Sequence, residues 1–156
     1  MGFVVGFSDK LILFHVVNMD AFRLNGYCAI QIEDVKAYRA FEKPQFWQSR
    51  AARRFKFTPV CPPGISLGSI PELITSIARG YPLFTCHPER TKPYVCYIGS
   101  LISATAATFT INDLDCDAEW TGPRRLRFRD ITRVEFGGGY EEALAATAPK
   151  CPKRKK

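Results

Sequence analysis

Residues 2–38 have the sequence GFVVGFSDKLILFHVVNMDAFRLNGYCAIQIEDVKAY, and the order of features in them returns in residues 96–134, CYIGSLISATAATFTINDLDCDAEWTGPRRLRFRDITRV. Each stretch begins with an apolar strand that a glycine interrupts, at Gly6 and at Gly99. A longer strand of β-branched and aromatic residues follows, and then a polar Asn/Asp turn that ends in a glycine. We interpret this order as an internal duplication of a bent unit of three or four strands.

The closing strands of the two stretches can be aligned residue by residue. In that alignment the apolar positions correspond, with Ile30, Ile32 and Val35 falling on Leu126, Phe128 and Ile131. The apolar set stays on one face until Asp34 and Asp130, where the alternation slips by one residue. Such a slip predicts a β-bulge or a strand end at each Asp.

The clearest helical signal lies in residues 69–81, SIPELITSIARGY. Ser69 and Glu72 have the spacing of a capping box, and Gly80 suits the end of a helix. Between these residues a Leu and Ile stripe at helical spacing predicts one buried face.

Two shorter helices are predicted on either side of the strands. Pro44 is placed to begin a helix in residues 44–57. Residues 140–149, YEEALAATAP, predict a terminal helix with Tyr140 and Leu144 on one face.

A glycine-broken bent strand, an Asn/Asp turn and a short closing strand resemble the Sm-like small β-barrel, here present twice, as in uncharacterised bacterial proteins. The resemblance is one of pattern and covers residues 2–41 and 70–136. It implies a mainly β fold with short helices (α+β), built from two tandem Sm-like bent-sheet or β-barrel units. In Sm proteins a basic residue and a glycine in the closing hairpin accompany an RNA-binding Asn or His. Here Gly122 is followed by Pro123, Arg124 and Arg125, so that motif and the uridine pocket it forms are absent.

The predicted domain organisation follows from these elements. Residues 1–57 form the first unit with its trailing helix, and residues 58–68, TPVCPPGISLG, form a linker rich in proline and glycine. Residues 69–149 form the second unit with flanking helices, and residues 150–156 form a basic tail.

The net charge of +7 is concentrated in that tail. KCPKRKK holds five basic residues and no acid, which leaves +2 for residues 1–149. With so little apolar surface to offset the entropy of ordering, the tail is predicted to be disordered and solvated.

Two groups of arginines are the candidate binding residues. In residues 124–136, RRLRFRDITRVEF, inward-facing Leu126 and Phe128 would leave the arginines of the opposite face in solvent. A second group lies in the helix predicted at 44–57, near Trp47. The candidate nucleic-acid-binding residues are Arg124, Arg125, Arg127, Arg129, Arg50, Arg53 and Arg54. A solvated strand face has the same pattern, and Trp47 would equally serve to anchor its helix.

No catalytic residues are predicted. Cys86 and His87 are adjacent, and adjacent residues of a strand point to opposite faces, so their side chains are expected to diverge. The other histidine, His15, could approach Cys86 only through tertiary structure. We expect a core cysteine and a surface histidine instead.

A calcium site is also not expected. Four acids alternate in NDLDCDAEW, residues 112–120, but Ala118 and Arg124 occupy the positions where an EF-hand needs glycine and an acid. The six cysteines include no C-x-x-C pair, so the sequence predicts reduced thiols, no metal and no cofactor, in a cytoplasmic compartment. The beginning, MGFVVGFSDK, has no basic segment of the kind that opens a signal peptide.

The sequence therefore predicts a non-enzymatic binding module with RNA or single-stranded DNA as its preferred partner. The alternative is a protein–protein or self-assembly module, such as a homo-oligomer, whose unpaired strand edges add to another chain. The longest apolar run after the first residues is LILF, residues 11–14, so no membrane partner is expected.

Overall fold

The computed structural model describes residues 1–41, 43 and 45–151, and these residues form eight strands and three α-helices. The strands are β1 (Gly2–Phe7), β2 (Leu11–Asn18), β3 (Arg23–Gln31), β4 (Phe84–His87), β5 (Tyr97–Ala104), β6 (Thr108–Leu114), β7 (Trp120–Arg127) and β8 (Arg133–Phe136). The helices are α1 (Trp47–Arg54), α2 (Ile70–Gly80) and α3 (Gly139–Thr147). The prediction of a mainly β chain with short helices is confirmed.

All eight strands belong to one antiparallel sheet in the order β1-β2-β3-β8-β4-β5-β6-β7. Within the described residues the sheet is open, because β1 and β7 each pair with a single neighbour. β3 and β8 join the two halves of the chain, with Tyr27 opposite Phe136 and Ala29 opposite Val134. The two predicted units therefore share one continuous sheet, and their duplication and boundaries remain predictions.

The two halves contain meanders that end in the same way. β1–β3 lead into a 3-10 turn at Ile32–Asp34, and β5–β7 lead into one at Phe128–Asp130. The slip in alternation at each Asp is therefore a strand end, as the sequence predicted. One consequence is that Arg129, expected on the strand face, lies in the second turn.

The main core lies between α2 and one face of the sheet. Ser69 is the N-cap of α2, and its hydroxyl accepts a hydrogen bond from the backbone N–H of Glu72 at 3.4 Å, which confirms the predicted cap. Leu73, Ile74 and Ile77 are fully buried. Burying each of these side chains stabilises the fold by about 1.5–3 kcal/mol.

A smaller core lies under α3 on the opposite face of the sheet. Its buried residues are Leu83, Ile98, Leu114, Ala118 and Leu144. Tyr140 does not join Leu144 as predicted, because its side chain is 58% exposed. Glu141, three residues before Leu144, is buried on that face in its place.

α1 is shorter than the helix predicted at 44–57. It covers Trp47–Arg54, and its predicted first residue, Pro44, lies outside the described residues. The linker predicted at 58–68 contains neither helix nor strand. Of the predicted tail, only residues 150 and 151 are among the described residues.

Candidate nucleic-acid interface

β7 is an edge strand with arginines on its outer face. Leu126 packs against the main core, and Arg125 and Arg127 on either side of it are exposed. The predicted alternation of this strand is therefore confirmed. Pro123 suits an edge strand, because it has no N–H to donate to a further neighbour.

Arg124 belongs to the inner side of β7. Its Nε donates a hydrogen bond to Asp113 Oδ2 at 2.6 Å, and Asp113 is largely buried. Its guanidinium carbon lies 4.3 Å from the centre of the Tyr97 ring, within the range of a cation–π contact. These contacts hold Arg124, whose side chain is 41% exposed, away from the face that carries Arg125.

The outer arginines of this segment differ in whether they pair with an acidic side chain. Arg127 Nε donates to Asp130 Oδ2 at 2.7 Å, and Arg129 Nε lies 4.0 Å from Asp130 Oδ1. Arg125 makes no ion pair with any described residue. Asp130 therefore offsets part of the charge of the stripe, and Arg125 is its most available member.

α1 carries Arg50 near its middle and Arg53 and Arg54 in its last turn. Arg50 donates from Nη1 to the carbonyl oxygen of Gln45 at 2.9 Å. Arg53 and Arg54 are exposed in the last turn, where a positive charge interacts favourably with the helix dipole. Neither of these two pairs with an acid in the part of the chain that the structure describes.

Aromatic rings lie at both ends of α1, where Phe22 contacts its first residue and the residue that follows its last. Phe22, in the turn between β2 and β3, lies 5.8 Å from Trp47, 5.2 Å from Phe55 and 5.3 Å from Phe57, measured between ring centres. Trp47 is nevertheless 50% exposed and Phe55 is 61% exposed. Trp47 thus anchors the helix with one part of its ring and offers the rest to solvent.

Sequence reasoning missed Phe22 and Phe55 as members of this surface. Phe22 is the one aromatic residue in the segment NMDAFR, residues 18–23, which was the available signal. Its backbone has a φ of +43°, a conformation that favours glycine and asparagine over phenylalanine. The contacts of its ring with three aromatic neighbours explain why a phenylalanine is tolerated there.

The residues considered for catalysis diverge as predicted. Cys86 is fully buried in the main core, and burial raises the pKa of its thiol far above the ordinary range. His87 points to the other face of β4. The expectation of a surface histidine is wrong, because the His87 side chain is only 12% exposed and lies under α3.

The acidic segment 112–120 is a turn. The Asp115 carboxylate accepts hydrogen bonds from the backbone N–H groups of Asp117 and Glu119 at 3.0 and 2.9 Å. Across the described ranges no three His, Cys, Asp or Glu side chains are placed to hold a metal ion. The chain's described helices also include none that is long and apolar enough to cross a membrane.

Comparison with known proteins assigns no family to this chain. No family model, no curated protein and no solved structure matches it. Any functional conclusion therefore depends on the chemistry of its own side chains.

Proposed function

We propose that the protein is a non-enzymatic module that binds single-stranded nucleic acid. The binding site is an aromatic–arginine surface formed by Phe22, Trp47, Phe55, Arg53 and Arg54. One observation carries the proposal: one short helix and its C-cap residue carry two aromatic rings, each at least half exposed, and two arginines that have no acidic partner among the described residues.

Exposed rings and arginines together match the two parts of a single strand. A base stacked on an aromatic side chain contributes about 1–3 kcal/mol, and every base has a face that can stack. The arginines would contact the phosphates between such bases. Each phosphate neutralised on a single strand changes the slope of log affinity against log salt by about −0.7, so Arg53 and Arg54 together should contribute about −1.4.

The test compares matched variants with a labelled oligopyrimidine at two salt concentrations. R53Q/R54Q should weaken binding and flatten the salt slope. R79Q is the control, because Arg79 is also exposed in the last turn of a helix, α2, but the aromatic residue near it, Tyr81, is only partly exposed. Equal slopes for wild type, R53Q/R54Q and R79Q would contradict the proposal.

Stacking is tested separately at Trp47. Trp47→Ala should weaken oligonucleotide binding about fivefold or more, and Trp47→Phe should restore most of the loss because phenylalanine also stacks. If Trp47 only packs against the fold, the two variants should change the melting temperature, but Trp47→Phe should not recover oligonucleotide affinity lost in Trp47→Ala.

Self-association through β1 is the second candidate function. β1 is the other edge of the sheet, its residues GFVVGF include no charge, and it exposes Val4 to 54% and Phe7 to 78%. An uncharged apolar edge favours pairing with another strand, whereas β7 carries arginines and a proline that oppose it. Concentration-dependent dimers that Val4→Lys abolishes, with no oligonucleotide binding at low salt, would favour this function.

We also propose that β1–β3 and β5–β7 are copies of one Sm-like unit. The shared strand–strand–strand–turn order supports this, with Asp34 and Asp130 each ending the turn. Residues 69–149 contain five neighbouring strands, β8-β4-β5-β6-β7, together with α2 and α3. This segment should therefore fold alone with a cooperative thermal transition, and an unfolded segment would argue against a self-contained unit.

The cytoplasmic compartment is a proposal as well. All six cysteines are free thiols, and two of them are buried. Free thiols in this number suit a reducing environment.

A further inference from the structure

A cavity of about 550 Å³ lies between α3 and the sheet. It is on the face opposite the main core, where Thr85 and His87 of β4 and Glu135 of β8 are neighbours. Glu141 of α3 closes over them, and its Oε1 accepts a hydrogen bond from Thr85 Oγ1 at 2.8 Å. Ile98 contributes an apolar wall.

The lining of this cavity is acidic, although the chain as a whole is basic. It contains no lysine or arginine, and its four acids are Asp113, Asp115, Glu135 and Glu141. Arg124 pairs with Asp113 and Arg133 pairs with Glu135, both from outside the lining. Glu141 has no cation within 4 Å in the described part of the chain.

Glu141 is a buried acid of this lining with few polar partners. It is 8% exposed, and Thr85 is its one hydrogen-bond partner among the described residues. An ionised carboxylate accepts up to about four hydrogen bonds, and a buried one is costly unless it is paired. Glu141 lies in the first turn of α3, where the helix dipole offsets part of the cost of burying its charge. The dipole does not replace the N–H groups of a cationic partner.

His87 adds a polar atom without a partner to the same cluster. Arg133 Nη2 donates to His87 Nδ1 at 3.0 Å, so the ring proton of a neutral imidazole lies on Nε2. Nε2 is 3.5 Å from Glu135 Oε2 but makes no hydrogen bond within the described residues. The imidazole nevertheless lowers the pKa of the Glu135 carboxyl, with burial opposing and Arg133 contributing, which keeps this carboxylate ionised beside Arg133.

We propose that the cavity binds a small organic cation, an ammonium or guanidinium group carried on an apolar body. Its N–H groups would donate to the Glu141 carboxylate, and its body would pack on Ile98 and Leu114. The volume falls within the range of small-molecule sites, about 300–1,000 Å³. An organic cation fits better than a metal ion, because the described residues offer no group of three metal-ligating side chains.

The first test titrates the wild-type protein with three probes of similar shape and different charge. These are 2-phenylethylammonium, the neutral 2-phenylethanol and the anion phenylacetate, each followed by calorimetry and by chemical shifts of the α3 amides. The ammonium compound should bind with a Kd on the order of 1 mM, and the alcohol at least about tenfold more weakly. Equal binding of the alcohol and the ammonium compound, or no binding of the latter, would overturn the proposal.

A matched pair of variants assigns the binding to one carboxylate. Glu141→Gln should weaken 2-phenylethylammonium about tenfold, and Glu142→Gln, at the exposed neighbouring position of α3, should leave it unchanged. Wild-type affinity in E141Q would overturn the assignment. If E141Q does not fold, the three-probe comparison on the wild type decides alone. Neither outcome depends on oligonucleotide binding, which uses other residues.

Discussion

Replacement of Arg125, Arg127 and Arg129 by glutamine measures what the β7 edge adds to nucleic-acid binding. The three charges are unequal, because Asp130 lies 2.7 Å from Arg127 and 4.0 Å from Arg129. If Asp130 offsets one charge, the segment neutralises about two phosphates. At about 0.7 per phosphate on a single strand, the triple variant should flatten the slope of log affinity against log salt by about 1.4.

The assay titrates a labelled oligopyrimidine with wild type and triple variant at two salt concentrations, with circular dichroism to confirm that both are folded. Single variants test the inequality: R125Q should account for about half of the change, and R127Q for less, since Asp130 already offsets the charge of Arg127 in the wild type. Unchanged affinity and slope in the triple variant would show that the β7 arginines form only a solvated strand face. Among the described residues, the aromatic–arginine surface would then remain as the candidate nucleic-acid site.

Three further predictions concern stability and reactivity. Gly99→Ala should destabilise the fold by about 3 kcal/mol and lower Tm by about 6–12 °C, because a Cβ there would overlap a backbone carbonyl of β6. Gly80→Ala, in open space at the end of α2, should instead raise the stability by up to about 1 kcal/mol. Calorimetry on both variants checks the opposite signs. Iodoacetamide near neutral pH should label the four exposed cysteines and spare Cys28 and Cys86, since burial raises the pKa of Cys28 to about 12, and rapid labelling of either in mass spectrometry would contradict their burial. Because the pKa of Glu135 is lowered in the fold, its carboxylate stabilises the fold above the ordinary carboxyl pKa of 4.5, and this stabilisation is lost as the pH falls through the lowered value. Wild type should therefore lose more stability on acidification than Glu135→Gln, and parallel curves of stability against pH would refute this.

The parts of the fold that sequence predicted are those fixed by neighbours along the chain. The cap at Ser69 and the apolar spacing after it define α2 without any tertiary contact. The alternation around Leu126 likewise assigns Arg125 and Arg127 to the outer face of β7. In both cases the period of the apolar residues carries the information.

The parts that sequence did not predict depend on contacts between distant segments. The pairing of β3 with β8 joins residues more than a hundred positions apart, so two units expected side by side became one sheet. The aromatic contacts of Phe22 with α1 and the burial of Glu141 over Thr85 are also non-local. Periodicity determines which face a residue occupies but not which distant element covers that face.

The distribution of charge separates the two proposed sites. The arginines of α1 and the outer arginines of β7, Arg125 and Arg127, are exposed, and a phosphate backbone can reach them without entering the fold. The cavity under α3 has an acidic lining that repels phosphate, and Glu141 is too buried to attract a polymer from solution. A chain with both features is therefore suited to bind an anionic strand outside and a small cation inside, and each site is tested by variants that leave the other unchanged.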